Sequence, residues 1–368
     1  MLRGAPRLVW LGGLLFAGLS ANPATADDWA ACAKLSGDVA LAACERAIKS
    51  GKYSGRELAV AYSNRGVEWT GKGDFARALA DYDEAIKHDP SQAAAFHNRG
   101  LAHVGKTDFD KAIADFDEAI RLDLKYASAF NNRGLAHFNK GGHQRALADY
   151  DESIRLEPNA IRLNNRGNAL ASRSEFDRAI RDYDRAISLD NNYVAAYFSR
   201  ALAHENKRQY ALALADYDQV TRLQPANATA WNSRCWTRAI IGQLQPALAD
   251  CNEALRRRPD FVHALDSRAF VHLKAGQYQE AIADYDKALS IDPNKVASLY
   301  GRGIAKRRKQ DFAGGNVDIA AARSIKSDVS AEFARYGISP PLSDPPARRD
   351  AERPGQRIIE YSVQRAPF

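Results

Sequence analysis

The sequence predicts an all-α array of helix hairpins, and three periodic features carry that expectation. Eight arginines, Arg65, Arg99, Arg133, Arg166, Arg200, Arg234, Arg268 and Arg302, recur at steps of 34, 34, 33, 34, 34, 34 and 34 residues. Sixteen residues after each stands an aspartate: Asp81, Asp115, Asp149, Asp182, Asp216, Asp250, Asp284 and Asp318. Small residues hold fixed places within the same period. A period near 34 kept up over most of a chain indicates one supersecondary unit repeated many times. Stacked repeats offer a long surface rather than one deep pocket, which argues against a single catalytic centre.

Taken from the start, residues 1–26 read as a secretory leader. Arg3 and Arg7 give a positive start, residues 8–19 form an apolar run of 12, and Ala24, Thr25 and Ala26 offer a small-x-small cleavage pattern. That run is too short to span a bilayer, and no later stretch is long and apolar enough to do so. Cleavage after Ala26 would deliver the chain to the periplasm or outside the cell. Residues 27–55 form a helical hairpin that caps the array. The net charge of +7 is spread thinly and includes two leader arginines. With no RNA-binding motif beside it, it gives no case for nucleic acid.

One repeat shows how the rest are built. In residues 93–124, apolar residues recur at helical spacing from Ala94 to Val104 and again from Phe109 to Leu122. Between them Gly105, Lys106, Thr107 and Asp108 break the pattern, with Thr107 or Asp108 as N-cap of the second helix. Two such helices make an αα-hairpin. The residue after each arginine is small: Gly66, Gly100, Gly134, Gly167, Ala201, Cys235, Ala269 and Gly303. A bulky ring recurs in the second helix: Tyr82, Phe116, Tyr150, Tyr183, Tyr217 and Tyr285. Small residues let two helix axes approach, and the ring fills the space beside them. Pro90, Pro158, Pro225, Pro259 and Pro293 stop the second helix.

The pattern Asn98, Arg99, Gly100, Phe109, Ala112, Asp115, Phe116, Asp117 and Ala119 resembles the tetratricopeptide repeat, in the NRG-type form seen in bacterial members. The resemblance covers an array of eight repeats over residues 56–327. It implies a right-handed superhelical solenoid of helix-turn-helix units whose concave face binds protein or peptide segments. One departure stands out, since the family usually carries a leucine-like residue where this chain has arginine. An arginine at a half-buried packing position needs a carboxylate, or its desolvation is uncompensated. The paired columns therefore read as an ion-pair ladder, each arginine meeting an aspartate of its own or the adjoining repeat. The rival reading is two columns of solvated charges.

Catalytic, cofactor and metal sites are not expected. His103, His137, His204 and His272 share one column, but equivalent residues of neighbouring repeats stand about 10 Å apart, too far to share a zinc ion. Acidic runs such as Asp149, Tyr150 and Asp151 recur in most units, so they belong to the repeat rather than to a carboxylate pair. Four cysteines, Cys32, Cys44, Cys235 and Cys251, follow the leader. Sequence alone allows three pairings; the repeat register favours Cys32 with Cys44 and Cys235 with Cys251, against free core thiols for the second pair.

In the family, the residues two before and two after the arginine column face the groove. On that basis the candidate ligand contacts here are His97, Asn131, Asn164, Asn168, Phe198, Asn232, Trp236, Asp266, Phe270 and Tyr300. Asparagines at the N-terminal end can bond a peptide backbone. Aromatic rings at the C-terminal end are typical anchors for protein recognition, or else pack between repeats. The lysines that clamp chaperone tails in some members are missing from these columns. Lys306, Arg307, Arg308 and Lys309 form a basic patch at the end of a first helix. It suits the helix dipole, or else an anionic envelope component. From Asp328 to Tyr336 the chain reads as a short capping helix, and the rest of 328–368 as a proline-rich flexible tail. The expected function is a non-catalytic periplasmic or secreted scaffold binding protein or peptide partners. The alternative is an envelope assembly or cell-wall polymer-binding factor that uses the basic last repeat.

Overall fold

A computed structural model describes residues 26–339. Residues 1–25, which hold nearly all of the leader pattern, and the proline-rich stretch from 340 onward lie outside the described residues. Among the described residues there are nineteen helices and no strand. The fold is all-α, a solenoid built from helix-turn-helix repeats, and it divides into two compact units, Met1–Ser199 and Arg200–Phe368.

In the first unit, α1 (Ala26–Lys34) and α2 (Gly37–Lys49) form the leading hairpin. Four repeats follow: α3 (Gly55–Gly71) with α4 (Phe75–His88), α5 (Ala93–Gly105) with α6 (Phe109–Leu122), α7 (Ala127–Asn139) with α8 (His143–Leu156), and α9 (Ala160–Ser172) with α10 (Phe176–Leu189). The division between the units falls inside α11 (Val194–Asn206). The second unit continues with α12 (Tyr210–Leu223), then α13 (Ala228–Ile240) with α14 (Leu244–Arg257), α15 (Val262–Lys274) with α16 (Tyr278–Ile291), and α17 (Val296–Arg308) with α18 (Phe312–Ile325). It ends in the short α19 (Val329–Arg335). Within each unit the two helices of a repeat pack on each other, and each first helix also touches the first helix of the next repeat.

The turn between the two helices is set locally. Asp74, Asp108 and Asp311 each accept a hydrogen bond from the backbone N–H three residues on and so cap the second helix. The residue before the cap takes a left-handed backbone: Gly73 has φ +75°, and Thr107 adopts φ +59° in the same place. Asp108 is therefore the cap and Thr107 the turn residue. The turn closes by Asp108 N–H on the His103 carbonyl at 2.9 Å, which satisfies an otherwise orphan acceptor at the end of α5.

Packing inside a repeat is ring on glycine. A Cβ added at Gly100 would stand 2.7 Å from the Phe116 ring, and one at Gly167 would stand 2.5 Å from Tyr183. Glycine is thus required by the close approach of the first helix. Phe116, Tyr150 and Tyr183 are buried as a result, each worth about 1.5–3 kcal/mol of apolar transfer. Tyr82 keeps its hydroxyl against Thr70 Oγ1 at 3.1 Å, and burial pushes its phenol up to about 12. Cys235 and Cys251 occupy these same two columns and are bonded, as are Cys32 and Cys44 in the leading hairpin.

Candidate functional site

The first helices carry the candidate contact residues, and the arginine column lies among them. Each arginine grips the aspartate of its own repeat with Nε and Nη2. Arg133 donates to Asp149 at 3.0 and 2.6 Å, and Arg302 to Asp318 at 2.8 and 2.7 Å. The remaining Nη1 reaches back to the preceding repeat. Arg99 meets Asp83, Arg133 meets Asp117, Arg166 meets Asp151, Arg234 meets Asp218 and Arg302 meets Asp286, all at 2.7 Å. Arg268 meets Asn252 instead, at 2.8 Å. The ladder thus uses both aspartates of the recurring Asp-ring-Asp triplet. The inner one joins the two helices of a repeat, and the outer one joins consecutive repeats. Side chains of the inner aspartates are largely buried and those of the outer ones exposed, as Asp149 at 8% and Asp117 at 54% show for Arg133.

The histidine column serves the same ladder. His103, His137 and His272 place Nε2 at 3.9, 4.0 and 3.8 Å from the inner aspartate. Burial lowers the proton affinity of His103 and His137, so these rings are neutral neighbours rather than counter-ions. Where the column holds a permanent cation the contact tightens, with Arg238 on Asp250 at 2.7 Å and Lys306 on Asp318 at 2.8 Å. No cluster among the described residues could hold a metal ion.

In the first unit, the column two before the arginine is turned inward. His97, Asn131 and Asn164 are buried between neighbouring first helices. Asn132 Nδ2 meets His97 Nε2 at 2.9 Å, and Asn165 Nδ2 donates to Asn131 Oδ1 at 3.0 Å. Burial keeps the His97 imidazole neutral, which suits Nε2 accepting from Asn132 while Nδ1 donates to Asn98 Oδ1 at 3.3 Å. His97 and Asn131 thus tie neighbouring repeats together through Asn132 and Asn165, while Asn164 Oδ1 has no partner. The accessible row lies two after the arginine: Val67 is 45% exposed, and Leu101, Leu135 and Asn168 are partly exposed. Asn168 is held by the Tyr183 hydroxyl at 2.9 Å. Phe198 is half-buried.

In the second unit the same face is covered from within. Phe333 of α19 packs on Tyr300 and Phe270, with ring centroids 4.8 and 6.0 Å apart. Tyr336 packs on Trp236 and Phe270 at 5.3 and 6.0 Å. Phe270 and Tyr300 are consequently buried, while Trp236, Asn232 and Asp266 keep partial exposure. The rings expected to anchor a ligand are in contact with the chain's own C-terminal helix. Two carboxylates are also held here, the candidate contact Asp266 and Glu205, which its repeat position does not single out. Glu205 accepts from Thr237 and from the Tyr217 hydroxyl, and Asp266 accepts from Ser298 Oγ at 2.6 Å. The basic patch is largely engaged inside the protein. Lys306 pairs with Asp318, Arg307 donates to Asn316, Arg308 reaches the Ser339 carbonyl and Lys309 reaches Gln279.

Comparison with known proteins agrees with this geometry. Models described as tetratricopeptide repeat match residues 97–161 and 200–261, and another matches 59–92. A model described as TPR repeat matches 167–208 and 271–309. No curated protein matches the chain in sequence. Among solved structures, that of the APC/C hetero-tetramer Cut9–Hcn1 aligns with TM-score 0.56 and 16% identity, over 73% of this chain and 52% of that one. A tetratricopeptide repeat protein from Parabacteroides merdae ATCC 43184 aligns with TM-score 0.52 and 18% identity, over 67% and 98% of the two chains. Pseudomonas aeruginosa pilF aligns with TM-score 0.52 and 19% identity, over 59% and 99%. At such identities the likeness is one of fold.

Proposed function

Since the chain belongs to the tetratricopeptide repeat family, we propose that it is a non-catalytic scaffold that takes a protein or peptide segment on its first-helix face, working in the periplasm or outside the cell. The observation that carries this is the open row of Val67, Leu101 and Leu135 on the first unit. Apolar side chains left accessible beside a largely hydrogen-bonded polar lattice suit a partner's apolar side chains, with Asn168 at the end of the row to meet its backbone. The arginines bordering the row are engaged by aspartates, which leaves them poorly placed to take an anion. An oxidising compartment is supported by the two bonded cysteine pairs and by the leader pattern of residues 1–26. No helix of the described residues is long and apolar enough to cross a membrane.

Site-specific cross-linking tests the assignment. A photoreactive residue at position 101 or 135 should capture a partner from a periplasmic extract, and one at the exposed second-helix position 121 should not. Leu101→Asp with Leu135→Asp should reduce capture about tenfold. Equal capture from position 121 would remove this face as the site. The rival reading, an anionic envelope component at Lys306, Arg307, Arg308 and Lys309, predicts binding that weakens steeply with salt. Contact at Leu101 and Leu135 should be nearly indifferent to salt.

A further inference from the structure

The second unit's face is filled by residues 328–339. We propose that this segment is an internal stand-in for the unit's ligand, which is a short helix of a partner protein with aromatic residues three positions apart and a cation just before the first ring. This rests on reading the first-helix face as a peptide site, and it adds which part of the face is closed and what opens it.

The stand-in fits by its rings. Phe333 and Tyr336 are three residues apart, so they lie on one side of α19 and meet Tyr300, Phe270 and Trp236 in succession. Val329 is buried with Phe333. The fit stops at the polar groups. Tyr300 Oη, under Phe333, has no hydrogen-bond partner, nor has Asn232 Oδ1 on the same face. Buried polar atoms are nearly always paired in a finished core. A ligand that supplied their partners would bind better than α19 does.

Charge points the same way. Asp266 stands in the same column as Asn232 and Tyr300; burial raises it most, and Glu332 of α19 adds a small like-charge effect that a cation in its place would reverse. Glu332 is held instead by Lys326 Nζ at 2.7 Å. Lys295, which caps α17, and His263, three residues earlier on α15, act on Asp266 in the opposite sense to Glu332.

The segment is held by its buried Val329, Phe333 and Ile338; its polar fastening is slight. A helix of 7 residues does not persist on its own. Its polar ties are Lys326 to Glu332, Arg323 to Ser330 and Arg308 to the Ser339 carbonyl, all exposed. Exposed ties of this kind contribute little. Releasing it breaks none of the Arg–Asp ladder.

The test uses the full chain and two labelled synthetic peptides, residues 326–339 as they stand and the same peptide carrying Glu332→Lys. The Phe333→Ala, Tyr336→Ala chain should bind the native peptide about tenfold more tightly than wild type, whose own segment competes. The Glu332→Lys peptide should bind several-fold more tightly than the native one. Adding Trp236→Ala should cost about tenfold. If the opened chain keeps its helical circular dichroism and binds neither peptide, the segment is a cap and the proposal is overturned. The cross-links at positions 101 and 135 would survive that result, so the broader scaffold assignment is tested separately. Should the opened chain fail to fold, hydrogen exchange on wild type decides. Excess Glu332→Lys peptide should speed exchange in residues 329–338 and leave α13 and α15 protected, and no change there also overturns the proposal.

Discussion

Arg133 divides its guanidinium between two aspartates, and one side chain thereby joins three helices. Nε and Nη2 hold Asp149 on α8, and Nη1 holds Asp117 on α6. The side chain also lies over Phe130, 5.4 Å from its ring centroid. The pairing at a spacing of sixteen was legible in the sequence because it recurs eight times. A bond to the adjoining repeat was legible only as an alternative to the one within the repeat, since the sequence did not show that the outer aspartate of the triplet takes the second half of the guanidinium. Replacing Arg133 by methionine keeps the apolar contacts and strands Asp149, whose side chain is 8% exposed. Breaking a fully buried pair costs roughly 3–5 kcal/mol. With Arg133 itself 21% exposed, the expected loss is about 2–3 kcal/mol. Urea unfolding measures it, and Arg133→Met combined with Asp149→Leu should recover most of the loss. A single variant as stable as wild type would reduce the ladder to surface charge.

At the scale of the helix pair, one rule is met twice by different chemistry. Four of the eight repeats set a ring against a glycine and two set one against an alanine, while the α13–α14 repeat sets Cys251 against Cys235. A covalent bridge replaces the missing ring, and it closes a loop of 16 residues. Loops of that size are worth about 3 kcal/mol in the chain-entropy view. Reduction should therefore destabilise this repeat by about that much. The variant Cys235→Gly, Cys251→Tyr should rebuild the ordinary packing and lose the response of α13 and α14 to reductant. Hydrogen exchange across α13 and α14, with and without dithiothreitol, reads both effects. A response to reductant unchanged in the double variant would show that the Cys32–Cys44 bridge, not this one, governs it. Helix limits, turn and columns could all be read from the sequence because eight copies average out local noise. The destination of α19 could not. It occurs once, and the spacing of Phe333 and Tyr336 shows two rings on one side without saying what they face. The inward turn of His97 and Asn131 was hidden for a related reason. The column follows the family's groove position, but its side chains are short enough to bond the neighbouring repeat.

Over each whole unit, polar groups are managed by the same lattice, and the second unit also carries two half-buried acids, Glu205 and Asp266. Burial pushes Glu205 above its ordinary 4.5, despite the hydroxyls of Thr237 and Tyr217, and pushes Asp266 above 3.8, despite Ser298. An acid raised in the folded state binds its proton more tightly folded than unfolded. Its contribution is fully present below the ordinary value and is lost as pH rises through the raised one. Asp318 behaves in the opposite sense. Burial acts to raise it, but Arg302 and Lys306 hold it below 3.8, so its contribution is present above that value and is lost as pH falls through the lowered one. Acidification should therefore first strengthen the second unit, as Glu205 and Asp266 take up protons at their raised values. Further acid should weaken it as Asp318 lets go of its two cations. The combined variant Glu205→Gln, Asp266→Asn keeps acceptors for Thr237 and Ser298 and removes both titrations. Its urea midpoint should exceed that of wild type at neutral pH, stay level where wild type rises, and fall with wild type in strong acid. Parallel midpoint curves for the two proteins from neutral pH downward would mean that these carboxylates are hydrated and do not load the fold.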